Sequence, residues 1–178
     1  MMAALILVPL LAGLLSLAVR AAAIRRTLLV LVAVAHTAMA AAAISQPPDS
    51  ELGGWLVLDA LGSVFLGLLS LLFLAAAVYG TGYLAREAHH PSGDVARRGP
   101  VDNQPEAVFT CCLLLFLATM TLVTVSHSFG LLWVAVEATT LASAPLIYFH
   151  RHRRSLEATW KYLIVCSVLM IVQSYVER

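Results

Sequence analysis

The stretch that decides the architecture is Leu131-Leu132-Trp133-Val134-Ala135-Val136-Glu137-Ala138-Thr139-Thr140-Leu141-Ala142-Ser143-Ala144-Pro145-Leu146-Ile147-Tyr148-Phe149. A helix of about 20 apolar residues crosses the roughly 30 Å hydrocarbon core of a bilayer, and this run reaches that length. It carries a single carboxylate, and for a helix from Ser128 to Phe149 that carboxylate, Glu137, falls close to the membrane midplane. An ionisable group at that depth costs roughly 2.5–3.5 kcal/mol on insertion scales, so a chain that keeps one gives it a partner or a task. The helical period places Gly130, Trp133, Glu137, Thr140 and Ala144 along one stripe. Small and polar residues dominate that stripe, so Glu137 is expected to face other helices or a wet cavity rather than lipid.

Composition supports a membrane protein throughout. Of 178 residues, 61% are hydrophobic and 12% charged, and the mean hydropathy is +0.89. A soluble domain carries about 25% charged residues. Polar sequence is too scarce for a separate catalytic domain. The basic residues form short clusters beside apolar runs with no recognition motif, which argues against nucleic acid as a partner. Cys111 and Cys112 are adjacent and Cys166 stands apart; none has metal-site spacing, so they read as inert small side chains. The apolar run from Met2 to Val19 has its first positive charge, Arg20, behind it. That is the reverse of a secretory leader, and an uncleaved first span is expected.

Apolar runs lie near residues 3–19, 27–44, 57–84, 106–125, 128–149 and 157–176. The fold class is therefore all-α: a polytopic membrane helix bundle of about six transmembrane helices in a single transmembrane domain over 1–178. Alternate links sort by charge. Those after the first, third and fifth runs hold Arg20, Arg25, Arg26, Arg86, Arg97, Arg98, Arg151, Arg153 and Arg154, whereas those after the second and fourth hold no Lys or Arg. The positive-inside rule puts the first set in the cytoplasm and both termini outside, and the expected location is the inner (plasma) membrane.

Few ionisable groups enter the apolar region: His36, Asp59, His127, Glu137 and Lys161. A carboxyl alone in low dielectric keeps its proton, and a cation brought near favours the ionised form, so moving that cation captures or releases a proton. Glu137 suits such a relay; the alternative is a hydrogen bond tying helices together. Lys161, the only lysine, stands four residues after Glu157, in the favourable order for a helix-surface ion pair. His36 reads either as an accessory relay group or as a satisfied interhelical histidine. Asp59 most simply caps the helix that follows it. His89 and His90 have no companion ligand. No nucleophile elbow, P-loop, dinucleotide or haem motif appears. Neither a cofactor nor a metal is expected, and redox chemistry is not carried here.

The run His127-Ser128-Phe129-Gly130-Leu131-Leu132-Trp133-Val134-Ala135-Val136-Glu137-Ala138-Thr139-Thr140-Leu141-Ala142-Ser143-Ala144-Pro145-Leu146 resembles the fifth span of the antiporter-like proton-translocating subunits. These belong to respiratory complex I, Mrp-type sodium/proton antiporters and membrane-bound hydrogenases. Ser155-Leu156-Glu157-Ala158-Thr159-Trp160-Lys161-Tyr162-Leu163-Ile164-Val165-Cys166-Ser167 continues the likeness, and Asp59-Ala60-Leu61-Gly62-Ser63 resembles the opening of the third span. The wording is most similar to the hydrogenase-4 component F type. The resemblance implies a proton or sodium/proton translocating subunit, with Glu137 and Lys161 in the relay and His36, Asp59 and Thr140 as accessories. It implies other membrane subunits of a hydrogenase or NADH:quinone oxidoreductase assembly as partners, beside the lipid bilayer, with redox cofactors on those partners. A non-conducting structural subunit is the rival. After Ser167 the likeness ends where the family continues with further helices, so a truncated member is expected, whether fragment, frameshift product or part of a split subunit.

Overall fold

A computed structural model describes residues 1–46, 50–89, 104–147, 161–168 and 172. The order is α1 (Met2–Ala18), α2 (Ala22–Ser45), a single 3₁₀ turn (Leu52–Gly54), α3 (Ala60–His89), α4 (Gln104–Val125) and α5 (Phe129–Ile147). A further helical segment occupies 161–168. Four helices are long and apolar enough to cross a membrane, over Ala22–Ser45, Ala60–Tyr83, Glu106–Val125 and Phe129–Leu146, while α1 is a shorter apolar helix. The described residues thus form a helical membrane bundle. Most of the sixth apolar run, 157–176, and the loop bearing Arg97 and Arg98 lie outside the described residues.

Each helix end has a local cause. Beyond α1, Val19 and Ala21 turn extended, and Arg25 folds back so that its Nη1 donates to the carbonyl of Val19 at 2.8 Å. The cation therefore sits where the carbonyl end of α1 favours positive charge. After α2 the chain makes a tight turn, Glu51 and Leu56 exchanging backbone bonds of 3.1 and 3.3 Å. Gly53 (φ 68°) and Gly54 (φ 93°) supply the left-handed backbone that turn requires. An extended strap follows: Val57 N–H donates to Val125 O and His127 N–H to Trp55 O, both at 2.9 Å. This diversion explains why α3 begins at Ala60, after the start of its apolar run. Asp59 Oδ1 then accepts from Gly62 N–H at 2.6 Å and caps α3. Ser128 caps α5 in the same way, accepting from Leu131 N–H at 3.2 Å.

The helices α1, α2, α3 and α4 form a ring in which each packs against its chain neighbour and α4 closes back on α1; α4 also touches α2. Among the five helices, α5 leans on α4 alone. The central cluster draws Ala12 from α1, Leu29, Val32 and Ala33 from α2, Phe73 and Ala77 from α3, and Leu114 and Leu117 from α4. Small residues bring backbones close, as lipid-embedded helices need in the absence of a hydrophobic drive between them. Ala33, Ala40 and Ala43 of α2 are all buried. At Gly13 an added Cβ would stand 3.3 Å from both Cys111 O and Leu114 Cβ, so α1 and α4 meet there nearly backbone to backbone.

The two ends of the ring differ in charge. At one end Arg26 Nε donates to Glu106 Oε1 at 2.8 Å, and Arg25 Nη2 lies 3.7 Å from Glu106 Oε2. At the other, Glu51 accepts from the backbone N–H of Met2 (3.1 Å) and Ala3 (2.9 Å) and pairs with the terminal ammonium. Those donors hold the Glu51 carboxyl below its usual range, the ammonium hydrogen bond contributing most. The α1–α2 turn and the start of α4 therefore share a side, opposite the 51–59 strap, the alternation that the arginine sorting predicts.

Candidate functional site

Glu137 lies one residue from the middle of α5. Its Oε1 accepts a hydrogen bond from Ser167 Oγ at 2.9 Å, which joins α5 to the segment 161–168. Its Oε2 is buried and has no hydrogen-bond partner among the described residues. One carboxylate oxygen is thus anchored across a helix interface and the other is sequestered from water. A buried, unsatisfied acceptor costs about 1–3 kcal/mol, more if charged. Protonation at Oε2 would relieve the charge; approach of a cation would compensate it.

The expected stripe of small and polar residues divides. Thr140 (9% exposed) and Ala144 (6%) are buried on the side of α5 that carries Glu137, and Ala135 and Ala142 are buried on the opposite side. Trp133 is 39% exposed, and nothing lies within 4 Å of an added Cβ at Gly130. The amino-terminal part of the stripe therefore faces outward. Thr140 Oγ1 donates to the carbonyl of Glu137 at 2.7 Å, and Ser143 Oγ donates to that of Thr140 at 2.8 Å. Ser143 Oγ also meets Tyr162 Oη at 3.3 Å.

The contacts Glu137–Ser167 and Ser143–Tyr162 set α5 and 161–168 antiparallel. Lys161 is six residues before Ser167, which places it about 9 Å from the level of Glu137 along the axis. It is solvent-exposed. Lys161 thus stands at a different height from Glu137, one residue beyond the Ser143–Tyr162 contact.

The other two accessory candidates lie elsewhere. Asp59 caps α3 at the strap end. His36 is buried in the ring, Nε2 3.0 Å from Thr121 Oγ1 and Nδ1 3.2 Å from Ser70 Oγ. Neither is bonded to the α5 seam in the described structure. Sequence reasoning missed Ser167, Ser70 and Thr121. The available signal was hydroxyls punctuating otherwise apolar spans, and a serine following Cys166 in a run of Leu, Ile and Val.

Comparison with known proteins gives a weak likeness. The chain is 28% identical over 116 residues to the hydrogenase-4 component F homolog of Methylacidiphilum infernorum (isolate V4), covering 65% of this chain and 23% of that protein. The matched region thus spans under a quarter of the relative's length. No family model matches the chain, and no solved structure matches it.

Proposed function

We propose that this chain is an ion-translocating membrane subunit of a hydrogenase or NADH:quinone oxidoreductase-type assembly, in the inner membrane, with Glu137 as its proton-carrying group. The likeness to a hydrogenase-4 component F homolog supports the assembly type. The observation that carries the proton reading is the divided environment of Glu137, one oxygen on Ser167 and the other buried without a partner among the described residues. In this reading Glu137 alternates between a protonated form and an ionised one steadied by Lys161. His36, Asp59 and Thr140 are accessory, proton and sodium are both admissible ions, and redox cofactors sit on partner subunits.

Magnitudes support the assignment. Moving one charge against about 100 mV requires roughly 2.3 kcal/mol. A hydrogen bond to a charged group is worth about 1.5–3 kcal/mol. Making and breaking the Ser167 bond is therefore of the size a translocation step needs.

A structural reading also has an observation behind it, since the Ser167 bond already ties two helices. Glu137→Gln separates the two. The amide preserves shape and bridging but cannot titrate, so the relay predicts normal assembly with pumping sharply reduced, and Glu137→Asp retaining part. Acidification of vesicles carrying the complete assembly, at matched subunit levels, is the measurement. Normal pumping by the Gln variant would end the relay reading.

A further inference from the structure

His36 is 1% exposed, and both its ring nitrogens meet hydroxyls that are equally buried, Ser70 on α3 (2%) and Thr121 on α4 (0%). Each hydroxyl also lies within bonding distance of its own helix: Ser70 Oγ is 2.8 Å from Leu66 O, and Thr121 Oγ1 is 2.7 Å from Leu117 O. A hydroxyl has one proton and both donor and acceptor capacity. The tautomer of a histidine is often fixed by a carbonyl or carboxylate, which can only accept from one of its nitrogens. His36 has no such partner in the described structure. With Nδ1–H, the ring donates to Ser70 while Thr121 turns from Leu117 O to donate to Nε2. With Nε2–H, the roles exchange. The two tautomers make the same number of hydrogen bonds. The doubly protonated ring is accommodated too: both hydroxyls accept from it and both keep their carbonyls.

We propose that Ser70, His36 and Thr121 form a proton-passing site across three helices, separate from the Glu137 seam. Water at the outer end of α4 is the proton donor. Thr121 lies four residues before the end of that helix at Val125, about 6 Å along the axis, and half-buried Thr124 stands between, its Oγ1 on Thr121 O at 2.8 Å. Thr121 Oγ1 takes a proton from water as its own proton passes to bare Nε2, and the ring becomes the cation. The Nδ1 proton then moves to Ser70 Oγ, whose own proton leaves to a second water, and the neutral ring remains in the other tautomer. One proton enters, one departs, and no other bond changes.

Charged groups on the packed helices stand well away. Helix α1 has none. On α2, Arg26 is ten residues before His36, about 15 Å. Asp59 precedes Ser70 by eleven residues and Arg86 and Glu87 follow it by sixteen or more, at least about 16 Å along α3. On α4, Glu106 and the thiols Cys111 and Cys112 precede Thr121 by at least nine residues, about 14 Å or more, and His127 lies beyond the helix end. The hydroxyls, rather than a counter-ion, govern the ring.

The test uses the full chain in lipid nanodiscs with isotope-labelled histidine, and His36→Gln identifies the His36 signals among the six histidines. The proposal expects nitrogen shifts averaged between the two tautomers and ring protons that exchange with solvent within the dead time of mixing. Thr121→Val should slow that exchange by about tenfold or more, the factor for one hydrogen bond to a charged ring, and Thr121→Ser should restore it. Glu137→Gln should leave all of this unchanged, so the two proposals fail separately. A single fixed tautomer with ring protons protected over hours overturns the proposal, and spectra of the unmodified chain decide this even if Thr121→Val does not fold.

Discussion

Gly62 is where an added methyl group should do most harm. An added Cβ would stand 2.7 Å from Asp59 Oδ1 and 2.7 Å from Thr124 O. The first obstacle is the cap of α3 and can swing away at the loss of its 2.6 Å bond to Gly62 N–H. The second is backbone of α4 and cannot yield without moving the strap that pairs with Val125 and His127. Overpacking of this kind costs about 1–3 kcal/mol, and loss of an N-cap about 0.5–2 kcal/mol. Alanine returns up to about 1 kcal/mol of helix propensity. The net expectation for Gly62→Ala is a loss of about 0.5–4 kcal/mol. Gly80, with nothing within 4 Å of its added Cβ, is the control and should be neutral or stabilised by up to about 1 kcal/mol. Denaturant titration of both variants in mixed micelles, followed by helical circular dichroism, reads the difference. In Asp59→Ala/Gly62→Ala one of the two obstacles is gone, so its loss should be smaller than the sum of the single changes. Equal stability of the Gly62 and Gly80 variants would refute the close approach of α3 to α4.

Removing the carboxylate of Glu106 withdraws it from Arg25, whose side chain is 2% exposed, so Glu106→Ala should cost about 3 kcal/mol or more, whereas Arg26→Ala, at the wetter partner, should cost about 1 kcal/mol; unfolding midpoints compare them. Because the folded state lowers the affinity of Glu51 for a proton, its contribution is present at neutral pH and lost as pH falls through the lowered value. Glu51→Gln should therefore remove that part of the acid sensitivity and cost about 0.3–1 kcal/mol at pH 7, as thermal scans across pH would show. For sidedness, a cysteine at exposed Ser50 should react with an impermeant reagent added outside intact cells, and one at exposed Arg20 should not; the opposite pattern would invert the topology.

Much of the helical architecture was legible because bilayer length acts on whole segments. The Asp59 cap was readable for a similarly local reason. Side-chain facing was not. Leu68 and Leu72 of α3 are exposed while Leu66 and Phe73 are buried, yet all are apolar, since lipid and protein interior make the same demand. Ser70, Thr121 and Ser167 escaped notice for a related reason. A hydroxyl within reach of its own helix carbonyl, as at Ser70 and Thr121, blends into an apolar span. The pairing of Arg26 with Glu106 depends on which helices become neighbours, and nothing in either segment announces the other. Glu137 could be singled out by depth, but the division of its two oxygens depends on where Ser167 comes to lie in space.

The ring closed by α4 also bears on how such a chain is made. During synthesis α1, α2 and α3 emerge in order, and each can pair with its predecessor. The contact between α1 and α4 joins segments roughly a hundred residues apart, and the strap cannot find Val125 and His127 until α4 has been translated. Until then Gly13 faces lipid and the extended residues 55–57 must be hydrated at the membrane surface. The first three helices are thus an assembly intermediate with an open flank, and α4 is the segment whose arrival completes it. A nascent chain arrested before residue 104 should accordingly be more readily extracted and proteolysed than one arrested after Val125.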